Sequence, residues 1–159
     1  MYEFLYVGRL SVRQKRADLL LDFCYKLTDA NINFTFDIFG KGDKNIEDEL
    51  ARLERITLHG HVSSWPKALK KKAIYFSPSD YEGCPLSLLE FHKYGGRNVL
   101  VANKNGLRQY VSEACLFESI DEAVSKITHG EICDNQVNLG HFFDKKLSKT
   151  QIRAIVAAV

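Results

Sequence analysis

Two glutamates, Glu82 and Glu90, stand at the ends of an unusual segment, Glu-Gly-Cys-Pro-Leu-Ser-Leu-Leu-Glu. Gly83 lets the backbone approach a ligand closely. Pro85 suits the first turn of a helix, where its missing N–H costs nothing. The free N–H groups around Cys84 to Ser87 would then lie at the positive end of that helix. The segment therefore predicts an anion site that suits a diphosphate.

The two carboxylates lie on either side of this predicted anion site. A nucleoside diphosphate sugar carries hydroxyls on both sides of its phosphates. One carboxylate could therefore accept hydrogen bonds from the sugar and the other from the ribose diol. The alternative is that Glu82 is a solvated loop residue and Glu90 a surface residue of the helix.

A second candidate group is basic and follows the first predicted strand. Arg9 offers a fork of donors and Lys15 a mobile point charge, and both could neutralise a diphosphate. The alternative is that the residues from Arg13 to Arg16 form the solvated start of a helix. Positive charge at a helix start is electrostatically unfavourable, which favours a functional role for at least one of them.

Other polar features carry weaker signals. The segment 40–42 (Gly-Lys-Gly) lacks the spacing of known phosphate loops. His59 and His61 alternate along the chain, so in an extended segment they point to opposite faces and do not predict a metal site. The lysines at positions 67, 70, 71 and 72 make a basic helix end, which is either a solvated face or a contact with an anionic membrane surface.

Alternating strands and helices position these loops. Strands are predicted at 3–7, 34–39, 56–58, 73–77, 98–102 and 115–117. Helices are predicted at 14–28, 46–53, 85–94, 120–128 and 144–159, with a further helix start at 64–66. Asp43 or Asn45 is the expected cap of the second helix, and the polar segment 131–140 is expected to be a loop.

This alternation predicts an α/β fold, a Rossmann-like doubly wound parallel sheet of about six strands with helices on both faces. Ligands of such sheets bind beyond the carboxyl ends of the strands. The loops at Gly8, Gly40, Gly60, 77–83 and 103–106 all fall at that edge.

Composition indicates one globular domain. The chain has 159 residues, 45% of them apolar and 26% charged. The net charge of +2 argues against a dedicated nucleic-acid binder. The four cysteines, at 24, 84, 115 and 133, form no Cys-x-x-Cys pair and are expected to be inert core residues of a cytoplasmic protein.

Five segments in order resemble the C-terminal domain of family 4 glycosyltransferases of the GT-B fold. They are Tyr-Val-Gly-Arg-Leu (6–10) with Lys15, Phe-Asp-Ile-Phe-Gly-Lys-Gly (36–42), Leu-His-Gly-His-Val (58–62), the Ser-Pro-Ser-Asp-Tyr-Glu to Leu-Leu-Glu run (77–90), and Asn-Gly-Leu (105–107). Two positions depart from the family pattern, with Asn98 where Pro is usual and Gln109 where an acidic residue is common.

The resemblance implies a retaining transferase that binds a nucleotide sugar and needs no metal or other cofactor at the donor site. By this resemblance Arg9 and Lys15 bind the diphosphate, Glu82 contacts the donor sugar and is the catalytic candidate, and Glu90 binds the ribose. The implied donor contacts also include Gly8, His61, Gly83, Cys84, Pro85, Leu86 and Ser87. An epimerase-like enzyme and a non-catalytic nucleotide-sugar-binding module are the alternatives.

A complete enzyme of this type also needs an N-terminal acceptor domain. We expect residues 1–159 to be the donor-binding domain, with the helix at 144–159, and the acceptor domain to be supplied in cis or in trans. The acceptor is expected to be a glycan or a lipid-linked glycan of polysaccharide biosynthesis. The full-length enzyme is expected in the cytoplasm, with peripheral association at the inner face of the membrane as a further possibility.

Overall fold

A parallel sheet forms the centre of the computed structural model, which describes residues 1–62, 65, 72–82, 85–104 and 106–134. Its strands are β1 (Tyr2–Val7), β2 (Phe34–Phe39), β3 (Ile56–Gly60), β4 (Ile74–Ser77), β5 (Asn98–Ala102) and β6 (Leu116–Phe117). The order is β3-β2-β1-β4-β5-β6, and all neighbours are parallel. The predicted six-stranded doubly wound sheet is confirmed.

One strand was not predicted. β7 (Cys133–Asp134) pairs antiparallel with β5, so the prediction of a loop over 131–140 was wrong at these two residues. The rest of that segment, and the terminal helix predicted at 144–159, lie outside the described residues.

The described helices are α1 (Val12–Lys15), α2 (Ala17–Asp29), α3 (Lys44–Ala51), α4 (Leu86–Lys93) and α5 (Ile120–Thr128). The single helix predicted at 14–28 is therefore two helices, which meet at Arg16 in the left-handed conformation (φ 50°). Asp43, one of the two expected caps, begins α3 by accepting from the backbone N–H of Asn45 at 3.0 Å. None of the described helices has the length and apolar character needed to cross a membrane.

Apolar clusters cover both faces of the sheet, because alternate strand residues point to opposite sides. Phe4 and Tyr6 of β1 join α2, α3 and α5 on one face, where the rings of Phe23 and Phe76 stack at 4.1 Å. Leu5 points to the other face, which α4 covers together with the side chain of Trp65. The predicted arrangement of helices on both faces is confirmed.

Close backbone contacts join the loops that follow β1 and β2. The N–H of Gly8 donates to the carbonyl of Phe39 at 3.0 Å, and Leu10 pairs with Gly42 as an isolated bridge. A Cβ on Gly40 would lie 1.8 Å from the carbonyl oxygen of Gly8. A side chain therefore cannot be accommodated at position 40 without moving backbone.

The cysteine prediction holds for one residue and fails for another. Cys24 is a free, fully buried thiol on α2, and burial raises its pKa. Cys115 is also buried, but it takes part in a disulfide bond, so the expectation of an isolated core thiol was wrong there. Cys84 lies outside the described residues.

We expect Gly40→Ala to lower the free energy of unfolding by roughly 2–4 kcal/mol, because the added methyl group meets backbone that cannot rotate away. Urea unfolding measures this change. Lys41→Ala is the matched control, since its side chain is exposed and its loss should change stability by no more than about 0.5 kcal/mol. Equal stability of the two variants would contradict the contact between the loops.

We also expect the Arg16–Asp18 contact, at the break between α1 and α2, to make a pH-dependent contribution to the free energy of unfolding. Arg16 donates to Asp18 at 2.9 Å, and this hydrogen bond lowers the pKa of Asp18 below its ordinary 3.8. The stabilisation is therefore present above pH 3.8 and is lost as the pH falls through the lower pKa of the folded state.

The corresponding measurement is the difference in stability between Asp18→Asn and the native chain at several pH values. It should be largest near neutral pH and shrink below pH 3.8, the ordinary value for Asp18. Asp48→Asn, which breaks an exposed pair with Lys44, serves as the control. A difference that stays constant across this range would refute the assignment.

Candidate functional site

A cleft of about 610 Å³ opens at the carboxyl ends of β1, β2 and β3. Strand order in the sheet reverses at β1, and ligands of doubly wound sheets bind at such switch points. The volume lies within the range of small-molecule sites. The cleft is lined by Val7, Gly8, Arg9, Phe39, Gly40, Lys41, His61, Val62, Trp65 and Glu90.

Lys15, six residues after Arg9, and Glu82, eight residues before Glu90, form an ion pair with each other. Only 21% of the Lys15 side chain and 13% of the Glu82 side chain are exposed. The alternative of Glu82 as a solvated loop residue was therefore wrong. Because Lys15 ends α1 and Glu82 lies in the loop after β4, the pair joins segments that follow two neighbouring strands.

Further hydrogen bonds join α1 to the loop that carries Glu82. The backbone N–H of Asp80 donates to the carbonyl of Gln14 at 3.1 Å, and the Gln14 side chain donates to the carbonyl of Tyr81 at 3.2 Å. On the other side of the loop, a Cβ on Gly106 would lie 1.9 Å from the carbonyl oxygen of Glu82. The loop that carries Glu82 is therefore held from two directions.

Glu90 lies one turn into α4 and reaches the cleft. Its Oε2 accepts a hydrogen bond from the indole N–H of Trp65 at 3.0 Å. Glu90 is partly exposed, so it is accessible from the cleft while it keeps this hydrogen bond.

The start of α4 has the character expected of an anion site. Pro85 stands at the N-cap, and no side chain caps the helix. The amides of a first helical turn have no partner within the helix and can bind an anion. The Ser87 hydroxyl is hydrogen-bonded to the phenol of Tyr75 at 2.8 Å, whereas the side chain of Leu86 is exposed.

Two buried tyrosines lie beneath the site. The phenol of Tyr6 donates to the carbonyl of Arg9 at 2.8 Å and thereby holds the loop after β1. Burial raises the pKa of Tyr6 and of Tyr75, and the negative charge of Glu82 raises both further. Both phenols therefore remain protonated, and Glu82 lies near both.

The two histidines have separate environments. His59 stacks on Phe39 at 4.2 Å and lies 2.7 Å from a carboxylate oxygen of Asp37. His61 is exposed and lines the cleft. Within the described ranges, no three His, Cys, Asp or Glu side chains are grouped so that they could hold a metal ion.

The structure thus brings most of the predicted site residues to one region. Gly8, Arg9, His61 and Glu90 line the cleft, and Lys15 and Glu82 pair with each other. Gly83 and Cys84 lie outside the described residues, as does most of the helix start predicted at 64–66. Sequence reasoning missed the roles of Tyr6, Tyr75 and Trp65, although Trp65 is the only tryptophan of the chain.

The fold and the cleft define an α/β domain of the kind that binds a ligand at the switch point of a parallel sheet. The family described as "Glycosyl transferases group 1" matches residues 2–129, and the chain belongs to this family of enzymes.

Individual relatives agree with this assignment. The chain is 29% identical to the poly(ribitol-phosphate) alpha-N-acetylglucosaminyltransferase of Staphylococcus aureus (strain COL), over 87% of this chain and 30% of that protein. It is 26% identical in sequence to the lipopolysaccharide outer core galactosyltransferase WaaB, with a TM-score of 0.69 over 82% of this chain and 41% of that one. The chain therefore spans less than half the length of these two relatives.

A third relative shows the fold alone. A mutant of TarM from Staphylococcus aureus, solved in complex with Fondaparinux, alpha-GlcNAc-glycerol and UDP, is 20% identical, with a TM-score of 0.66. The match covers 98% of this chain and 35% of that one.

We expect Lys15 and Glu82 to be energetically coupled. A double-mutant cycle with Lys15→Met and Glu82→Gln, followed by urea unfolding, should give a coupling of about 1–2 kcal/mol, above that of exposed pairs, because both side chains are largely buried. The exposed pair Lys44–Asp48 is the matched control. Equal coupling in the two pairs would contradict the described packing of Lys15 and Glu82.

Proposed function

We propose that this chain is the donor-binding domain of a retaining glycosyltransferase, which binds a nucleoside diphosphate sugar for transfer to a glycan or a lipid-linked glycan. One observation carries the proposal. Two distant segments, which together are expected to hold the diphosphate, the sugar and the ribose of the donor, meet in the structure: Arg9 and Glu90 line one cleft, and Lys15 pairs with Glu82.

The diphosphate is assigned to Arg9, Lys15 and the start of α4. Two cationic side chains and the backbone amides at the start of a helix can balance its negative charge without a metal ion or other cofactor. The ammonium group of Lys15 pairs with Glu82. An ammonium has three donors, so it can contact Glu82 and a phosphate oxygen together.

The remaining parts of the donor extend to the two sides of the diphosphate. Glu90 is assigned to the ribose diol and Glu82, the catalytic candidate, to the transferred sugar. During transfer, the bond between the anomeric carbon and the phosphate oxygen breaks and the acceptor hydroxyl oxygen forms the new bond to that carbon. Negative charge develops on the departing diphosphate, which takes up the proton of the acceptor hydroxyl. Arg9 and Lys15 would stabilise that charge in the transition state.

Solved structures with the same fold support a uridine nucleotide as the first ligand to test. The TarM complex contains UDP, and Anabaena HepE, with a TM-score of 0.64 to this chain, was solved in complex with UDP-glucose. The proposal has two further parts. A separate acceptor domain is supplied in cis or in trans, and the full-length protein lies in the cytoplasm with peripheral association at the membrane.

We expect the 159-residue chain to bind at least one of UDP, GDP and ADP with micromolar to millimolar affinity in calorimetry. Arg9→Ala and Glu90→Ala should each weaken binding about tenfold or more, because each removes a hydrogen bond that involves a charged group.

Arg97→Ala is the matched control for this experiment. Arg97 is also exposed, but it lies next to the amino end of β5, at the opposite edge of the sheet from the cleft. Its replacement should leave affinity unchanged. Failure of all three nucleotides to bind at millimolar concentration would overturn the proposed function.

A further inference from the structure

The only tryptophan of the chain makes a direct contact with the glutamate assigned to the ribose. Trp65 is 5% exposed and forms part of the cleft wall, with its ring 6.3 Å from that of Phe39. Its indole N–H donates to Oε2 of Glu90 at 3.0 Å. The contact joins residues 25 positions apart, so it is a tertiary interaction and not a local one.

The indole N–H constrains how Glu90 can present its carboxylate. Indole is a donor only, and an ionised carboxylate offers about four acceptor positions on two oxygens. The hydrogen bond to Oε2 fixes the orientation of the carboxylate, so that its remaining acceptor positions point in a defined direction. A glutamate side chain without such a partner would sample several rotamers and lose that freedom only on binding a ligand.

We propose that Trp65 is a positioning residue that orients Glu90 toward the two hydroxyls of a ribose. Through Glu90, it makes the site prefer ribonucleotides over 2′-deoxyribonucleotides. This inference rests on the proposed function, because it requires a nucleoside diphosphate in the cleft. Trp65 acts on the ribose through Glu90, whereas its ring also forms part of the apolar wall with Phe39.

Trp65→Phe separates these two roles, since phenylalanine keeps an aromatic ring and removes the N–H. The experiment is calorimetry of the 159-residue chain with UDP, GDP and ADP and with the 2′-deoxy form of each. The native chain should prefer the ribonucleotide that it binds by about tenfold, the expected effect of a hydrogen bond to a charged group. In Trp65→Phe this preference should largely disappear, through weaker binding of the ribonucleotide and unchanged binding of the deoxynucleotide.

Tyr94→Phe is the matched control, because it removes a polar atom from an exposed aromatic residue at the end of α4. It should retain the native preference. If Trp65→Phe loses the native circular dichroism spectrum, Trp65→Met replaces it, since methionine is a flexible apolar side chain that also lacks the N–H. Loss of the ribose preference in Trp65→Met with unchanged deoxynucleotide binding then supports the inference, and retention of the preference overturns it.

The contrary results are distinct. If Trp65→Phe weakens the binding of ribo- and deoxynucleotides equally, Trp65 only forms part of the cleft wall and the inference is overturned. Equal affinity of the native chain for ribo- and deoxynucleotides would also overturn the inference. Failure of the native chain to bind any of the three ribonucleotides would overturn the proposed function itself, and with it the assignment of Trp65.

Discussion

The ion pair between Lys15 and Glu82 joins the two halves of the site. The strands that precede these residues, β1 and β4, are neighbours at the centre of the sheet, but the chain leaves them toward opposite faces, with α2 on one and α4 on the other. Connections that diverge in this way leave a crevice between them. The contact across that crevice helps to fix the distance between the loop that carries Arg9 and the helix that carries Glu90.

Two buried tyrosines also contact the segments that follow β1 and β4. The phenol of Tyr6 fixes the backbone after β1, and the phenol of Tyr75 contacts Ser87 in the first turn of α4. A buried phenol without a partner is costly, so each of these hydrogen bonds constrains both its donor and its acceptor. The site is therefore positioned by contacts within the protein, which lowers the conformational entropy that is lost when a ligand binds.

Most of the sheet and much of the site follow from local sequence. Three elements were predicted with their observed bounds, because their apolar periodicity and their flanking residues indicate the same limits: the strands at 34–39 and 98–102 and the helix at 120–128. The break at Arg16 was missed, since its left-handed conformation is supported by Asp80, 64 positions away. The contact of Trp65 with Glu90 depends on tertiary packing in the same way. β7 has two residues, too few to show a pattern.

A crystal structure of the chain with the nucleoside diphosphate that it binds would test the central claim most directly. The account predicts the diphosphate between Arg9, Lys15 and the start of α4, with the ribose hydroxyls at Glu90. The sheet has a second polar cleft, of about 460 Å³, lined by residues from Asn103 to Lys126. A nucleotide bound there, and none in the cleft lined by Arg9 and Glu90, would contradict the account.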